Sequence, residues 1–119
     1  MNLITIPTGD LIGPALDRAV AKAINAPVAT GPFSTDWALG GPILEMHGVG
    51  VFRNGKGVYA NDAKRWEANR VVNLDEAPIL RHGYRALGPT PLVAGLRCLV
   101  RSKLGETVAV PADLINAEA

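Results

Sequence analysis

Cysteine is almost absent: Cys98 stands alone among 119 residues, which excludes an internal disulfide framework and a cysteine-ligated zinc site. Histidine is nearly as scarce. His47 and His82 are too few for an imidazole-based metal centre without carboxylate help, and His47, Glu45 and Asp62 share no ligand spacing. Excess charge is missing too, with a net charge of +1. Non-specific binding to a nucleic-acid polymer draws on counterion release by many Lys and Arg, so that class is set aside. No window is apolar enough to span a bilayer, and Met1 is not followed by the basic stretch and apolar run of a signal peptide. A cytoplasmic protein without membrane contact is therefore expected.

What is present points to an ordered chain. Hydrophobic residues make up 48% and charged residues 19%, a balance that disfavours disorder. The length suits one domain over residues 1–119. Met1 to Ile6 reads as an extended leader closed by Pro7. Thr8 or Asp10 can cap a helix that begins near Ile12 or Gly13 and runs to Ala26, before Pro27. Ile12, Ala15, Leu16, Ala19, Val20 and Ala23 share one face of it, and Arg18 and Lys22 lie on another. Gly40-Gly41-Pro42 argues against a regular helix there, so a turn is expected after Trp37 and a short helix from Pro42 to Gly48.

From Val49 to Ala86 the pattern changes to strands among turn-formers. Asn54-Gly55 predicts a hairpin between Val49–Phe52 and Val58-Tyr59. Further strands are expected around Arg65–Val71 and Leu80–Leu87. Thr90-Pro91 opens the clearest helix. Leu92, Val93, Leu96, Leu99, Val100 and Leu104 form its apolar stripe, and Gly105 stops it. Val108, Val110, Pro111 and Leu114 suit an edge segment or a last short turn. The expected class is α+β, a small antiparallel sheet packed against helices.

Catalytic chemistry has little to rest on. Ser34 or Ser102 could pair with His47 or His82, but nothing places them together. Cys98 reads as a packed small side chain. Lys56 is followed by Gly57-Val58-Tyr59, without the Ser or Thr and the helix that a phosphate loop needs. The last helix is more suggestive. Thr90 and free N–H groups at its start suit an anion. Arg97 and Arg101 flank its stripe, Lys103 falls within it by helical angle, and Arg81 and Arg85 precede it. Each also has a structural alternative, as a solvated face or a last-turn cation. Trp37 is expected in the core. Trp66 and Tyr84, beside Arg65 and Arg85, are the aromatics placed to stack on a base.

Three groups of residues carry a family likeness. They are Leu16-Asp17 with Ala19-Val20-Ala21-Lys22, then Ser34-Thr35-Asp36-Trp37-Ala38 with Gly40-Gly41-Pro42-Ile43, then Gly88-Pro89-Thr90-Pro91-Leu92 with Arg97 and Lys103-Leu104-Gly105. Together they resemble the NinX-like proteins of phages and prophages, a family without an assigned activity. More distantly the layout is similar to the phage ABA-sandwich domain of the Thoeris anti-defence sponge proteins. That resemblance implies sandwich-like layers and a non-enzymatic homo-oligomer that sequesters a nucleotide signal, of cyclic ADP-ribose or cyclic oligonucleotide type. It implies no cofactor and no metal. The ligand-binding residues would be Thr90, Arg97, Arg101, Lys103, Trp66, Tyr84 and Arg85, with charge reversal at Arg97 and Arg101 abolishing binding and sparing the fold. The alternative is a phage accessory protein working through contact with a host or phage protein.

Overall fold

A computed structural model describes residues 2–26, 31–54, 64–73 and 81–116. The class is α+β. In chain order the elements are β1 (Leu3–Pro7), a 3-10 turn (Thr8–Asp10), α1 (Gly13–Ala23), α2 (Trp37–Met46), β2 (Gly50–Arg53), β3 (Trp66–Asn73), β4 (Arg81–Gly88), α3 (Pro91–Leu104), β5 (Thr107–Pro111) and α4 (Ala112–Asn116). They form two sheets, where the sequence suggests one: an antiparallel β1–β5 pair and an antiparallel β2-β3-β4 sheet. The extended leader is thus a strand, with Leu3 opposite Pro111 and Pro7 opposite Thr107.

α3 is the element around which the rest is built. Its start and stop follow the sequence signals. Thr90 Oγ1 accepts a hydrogen bond from the Val93 N–H, Pro91 occupies the first turn, and Gly105 ends the helix at φ 100°. Every residue from Leu92 to Val100 is buried, so the helix is covered on all sides and its apolar stripe is only one of them. One side meets the main core, with Leu11, Leu16, Val20, Leu44 and Val110. The opposite side lies on the three-stranded sheet through Ala68, Ala86, Ala94 and Cys98, small side chains that let helix and sheet approach closely. Lys103 is exposed instead of sharing the stripe, whereas Leu104 beside it packs on the core.

α1 buries Ala15, Leu16, Ala19, Val20 and Ala23 as its periodicity predicts, although Ile12 stays 42% exposed. It ends at Ala23, short of Ala26, where Asn25 takes a left-handed φ of 58°; Pro27 lies outside the described residues. The far strand of the expected Asn54-Gly55 hairpin, Val58-Tyr59, lies outside the described residues. Arg53 pairs with Trp66 and Gly50 with Asn69, so β3 is a partner strand of β2. The strand expectations around residues 65–71 and 80–87 correspond to β3 and β4, joined from Trp66 opposite Gly88 to Asn73 opposite Arg81.

The Gly-Gly-Pro expectation is overturned, since α2 runs unbroken through Gly40, Gly41 and Pro42. An interior proline costs about 3 kcal/mol and removes a hydrogen bond. Two features offset that cost. Asp36 caps the helix by accepting from the Ala38 N–H at 2.9 Å, and Leu44 is buried against α3. Gly40 is required by packing: a Cβ there would stand 2.3 Å from the Phe33 carbonyl oxygen and 2.6 Å from Leu92 Cδ1. Trp37, expected in the core, is 53% exposed at the first turn of α2.

Gly40 and Gly41 therefore respond differently to alanine. Gly40→Ala must displace backbone and is expected to lose about 2–3 kcal/mol, more than the roughly 1 kcal/mol of helix propensity it gains. At Gly41 a Cβ would meet only the exposed Trp37 ring, at 3.1 Å, and Gly41→Ala should stay within about 1 kcal/mol of the parent in urea unfolding.

Candidate functional site

Between the β4 edge, the 3-10 turn and α3 lies a cavity of about 440 Å³, lined by Thr8, Asp10, Lys64, Arg85, Leu87, Arg97 and Arg101 among others. The sequence-predicted Arg85, Arg97 and Arg101 meet here. The geometry follows from spacing. Arg97 and Arg101 lie one turn apart on α3, while the carbonyls of Arg85 and Leu87 lie two residues apart on an edge strand and point away from the sheet. Arg97 Nη1 donates to the Leu87 carbonyl at 2.9 Å, and Arg101 Nη1 donates to that of Arg85 at 2.6 Å. The two arginines thus satisfy an edge that would otherwise stay open.

The two are not equivalent. Arg97 is buried at 8% exposure, and its Nε donates to the Leu11 carbonyl at 2.6 Å. It joins the start of α1, the end of β4 and the middle of α3 through one guanidinium. The expectation that charge reversal at Arg97 spares the fold is therefore corrected. Arg101 is 37% exposed and makes a two-pronged hydrogen bond from Nε and Nη2 to Glu106. That partner holds the Glu106 carboxyl below its ordinary range, and Glu106 in turn raises the Arg101 pKa. Arg85 is paired across the sheet with Glu67 at 2.9 Å, which raises its pKa. The Arg101–Glu106 pair is of the exposed kind that stabilises a fold by about 0–1 kcal/mol, whereas Glu67, at 17% exposure, is more deeply placed than its partner Arg85.

The remaining predicted residues lie elsewhere. Trp66 and Tyr84 are on the sheet face toward α3, packed at the Ala68–Cys98 cluster. The Arg53 guanidinium stands 5.5 Å from the Trp66 ring, and the His82 ring 4.5 Å from that of Tyr84. Neither aromatic is among the described lining residues of the basic cavity. Thr90 borders a different cavity with Ser34 and Trp37. Arg81 begins β4, and its side chain is outside the described set. Lys103 lies near His47, whose pKa is lowered by burial and then by the charges of Lys103 and Arg70.

Sequence reading missed several members of the basic cavity. Thr8 is 2% exposed, and its N–H and Oγ1–H both donate to the Glu106 carbonyl; Lys64 comes from the segment before β3. Neither carries a local signal, because the contact between Thr8 and Glu106 spans 98 residues.

Among the described residues, neither serine that the sequence offered is hydrogen-bonded to a histidine. Ser102 Oγ donates to the Leu99 carbonyl and accepts from Arg70 Nη1, and Ser34 Oγ has no partner. Burial pushes the Cys98 thiol up to about 11, away from thiolate reactivity. Among the described residues no group of three or more His, Cys, Asp or Glu could hold a metal ion. No helix among them is long and apolar enough to cross a membrane.

Comparison with known proteins adds a family. Residues 28–103 match the family model described as Bacteriophage P22, NinX. The matched stretch includes Ser34–Trp37, Thr90 and all of Arg85, Arg97 and Arg101. No curated protein matches the chain.

Arg97→Met should cost about 2–4 kcal/mol in urea unfolding, since it leaves the Leu11 and Leu87 carbonyls without their charged donor. Arg101→Gln should stay within about 1 kcal/mol. His47 supplies a pH dependence. Its folded pKa lies below the ordinary 6.5, so its neutral form favours the fold above that value, and the contribution is lost as pH falls through the folded pKa. His47→Gln should reduce the drop in Tm between about pH 7.5 and about pH 5.5, compared with the parent.

Proposed function

The chain belongs to the Bacteriophage P22 NinX family, and from that premise we propose a phage accessory protein that binds and sequesters a nucleotide-type anionic signal without chemical turnover. The observation that carries this reading is the gathering of Lys64, Arg85, Arg97 and Arg101 on one cavity of about 440 Å³, within the size range of small-molecule sites. A guanidinium recognises phosphate through paired, charge-assisted hydrogen bonds. Arg101 already presents that fork to Glu106, and a phosphate of higher charge can take the place of the exposed carboxylate. Arg85, itself 59% exposed, can share its guanidinium between Glu67 and a phosphate oxygen. Arg97 is held by two carbonyls and contributes a fixed positive charge at the wall, while Ala86 and Leu87 offer apolar surface to the nucleoside.

The ligand class follows the resemblance drawn from the sequence: a cyclic ADP-ribose type signal or a cyclic oligonucleotide, held by a homo-oligomer. Thr90 and Lys103 lie outside this pocket, and Trp66 and Tyr84 are not among its described walls, so the arginines carry the site. Sequestration needs affinity and burial of the phosphate, with no general acid or base.

A second reading has its own observation. Met46 is 81% exposed and Val71 60%, apolar surface that a host or phage protein could cover. In that case the protein acts by contact alone.

Native mass spectrometry of protein purified from cells that produce cyclic nucleotide signals separates the two. The expected result is an oligomer of raised mass that releases an unmodified nucleotide on heating, with the adduct lost in the Arg85→Gln/Arg101→Gln variant at unchanged fold. An empty protein that added nucleotides do not stabilise thermally would overturn the sponge reading in favour of a protein partner. A nucleotide released in altered form would point to turnover.

A further inference from the structure

Ser34 is the one residue among those described with a buried side-chain polar atom that has no hydrogen-bond partner. It is 3% exposed. Its N–H donates to Asp17 Oδ1 at 2.7 Å, which fixes the residue against α1 and leaves the hydroxyl unused. An unmade hydrogen bond at a buried hydroxyl costs about 1–3 kcal/mol, so alanine would serve the free fold as well or better. The hydroxyl therefore asks for a partner from outside the chain.

The surroundings say what kind. Ser34 lines a cavity of about 370 Å³ together with Ile12, Gly13, Trp37, Thr90 and Leu92. α1 begins at Gly13, α2 at Trp37 and α3 at Pro91, so the N-termini of three helices converge on this space. Each brings a partial positive charge of about half a unit, although Pro14 and Pro91 carry no N–H in the first turns of α1 and α3. Thr90 caps the Val93 N–H and Asp36 caps that of Ala38, but α1 has no side-chain cap. The cavity is thus bordered by the N–H ends of three helix dipoles, with no Lys, Arg or His among its described walls and with the Asp17 carboxylate already satisfied by the Ser34 N–H.

Those features select one charge. A dianion would meet no countercharge here and would face the Asp36 carboxylate next to Trp37. A single negative charge suits helix N-termini and a hydroxyl. The remaining walls, which include Ile12, Trp37, Pro89, Leu92 and Val93, are apolar and ask for an apolar body. We propose that this cavity binds a small apolar monocarboxylic acid. Its carboxylate accepts from the Ser34 hydroxyl and from the Gly13 N–H at the start of α1, and its apolar part packs on Trp37 and Leu92. The basic cavity shares none of these residues, so the site stands or falls independently of the nucleotide reading.

The test is a ¹H–¹⁵N NMR titration of the full chain with phenylacetate, then hexanoate, then inorganic phosphate. At least one carboxylate is expected to shift the Gly13, Trp37 and Leu92 amides saturably, and phosphate to leave them in place. Ser34→Ala should bind about tenfold more weakly while being at least as stable as the parent in urea unfolding. Trp37→Ala, on an exposed ring, is the second variant: it should keep the fold and weaken binding of phenylacetate by a similar factor. Absence of saturable shifts with both carboxylates, or equal affinity in both variants, would overturn the proposal. Phosphate moving the same amides as strongly would overturn its ligand class.

Discussion

Two backbone carbonyls far apart in the chain, those of Leu11 and Leu87, are held by the single guanidinium of Arg97, and much of the architecture depends on that arrangement. A charged side chain in the buried middle of a helix is tolerable only when its hydrogen bonds are made. Here the donors reach the residue just before α1 and the edge strand β4, so the charge that is costly to bury also fixes how three elements meet. Arg101, one turn later, repeats the contact to β4 at the protein surface and adds Glu106. The same i, i+4 pair thus changes setting with depth: the inner arginine is buried on two carbonyls, and the outer one is held at the surface by a carboxylate.

The rest of α3 shows the same economy. Toward the sheet it presents Ala94 and Cys98 against Ala68 and Ala86, so helix and strands approach closely with little side-chain volume between them. Toward the main core it presents Leu92, Leu96, Leu99 and Val100, which fill the space left by α1, α2 and β5. Cys98 belongs to the first group by size, and its raised pKa is a consequence of that burial.

The local parts of this structure were legible in the sequence. The Thr90-Pro91 start and Gly105 stop of α3, the buried face of α1 and the approximate positions of β3 and β4 all follow from short-range signals. Long-range features were not. β1 and β5 pair across almost the whole chain, and neither carries a mark of the other. α2 was misread because propensity counts Gly40-Gly41-Pro42 as breakers, whereas close packing against Phe33 and Leu92 needs the absent side chain at Gly40. Arg97 and Arg101 were recognised as a pair, but their spacing alone does not say which one the sheet buries. Ser34, weighed with a histidine in the sequence, has a hydroxyl without a hydrogen-bond partner, which no local signal announces.

The two cavities illustrate how one helix can present different electrostatics along its length. Near Thr90 the positive potential comes from oriented peptide groups, which are diffuse, already paid for by folding, and unable to move. Near Arg97 and Arg101 it comes from full charges, one fixed by carbonyls and one held by a surface carboxylate. Diffuse charge beside apolar walls favours a weakly hydrated monoanion, because little solvation is lost on entry. Full charges with exchangeable partners favour a strongly hydrated phosphate, whose desolvation only charge-assisted hydrogen bonds can offset. The two cavities thus differ in the groups that border them, helix N-termini in one and guanidinium groups in the other.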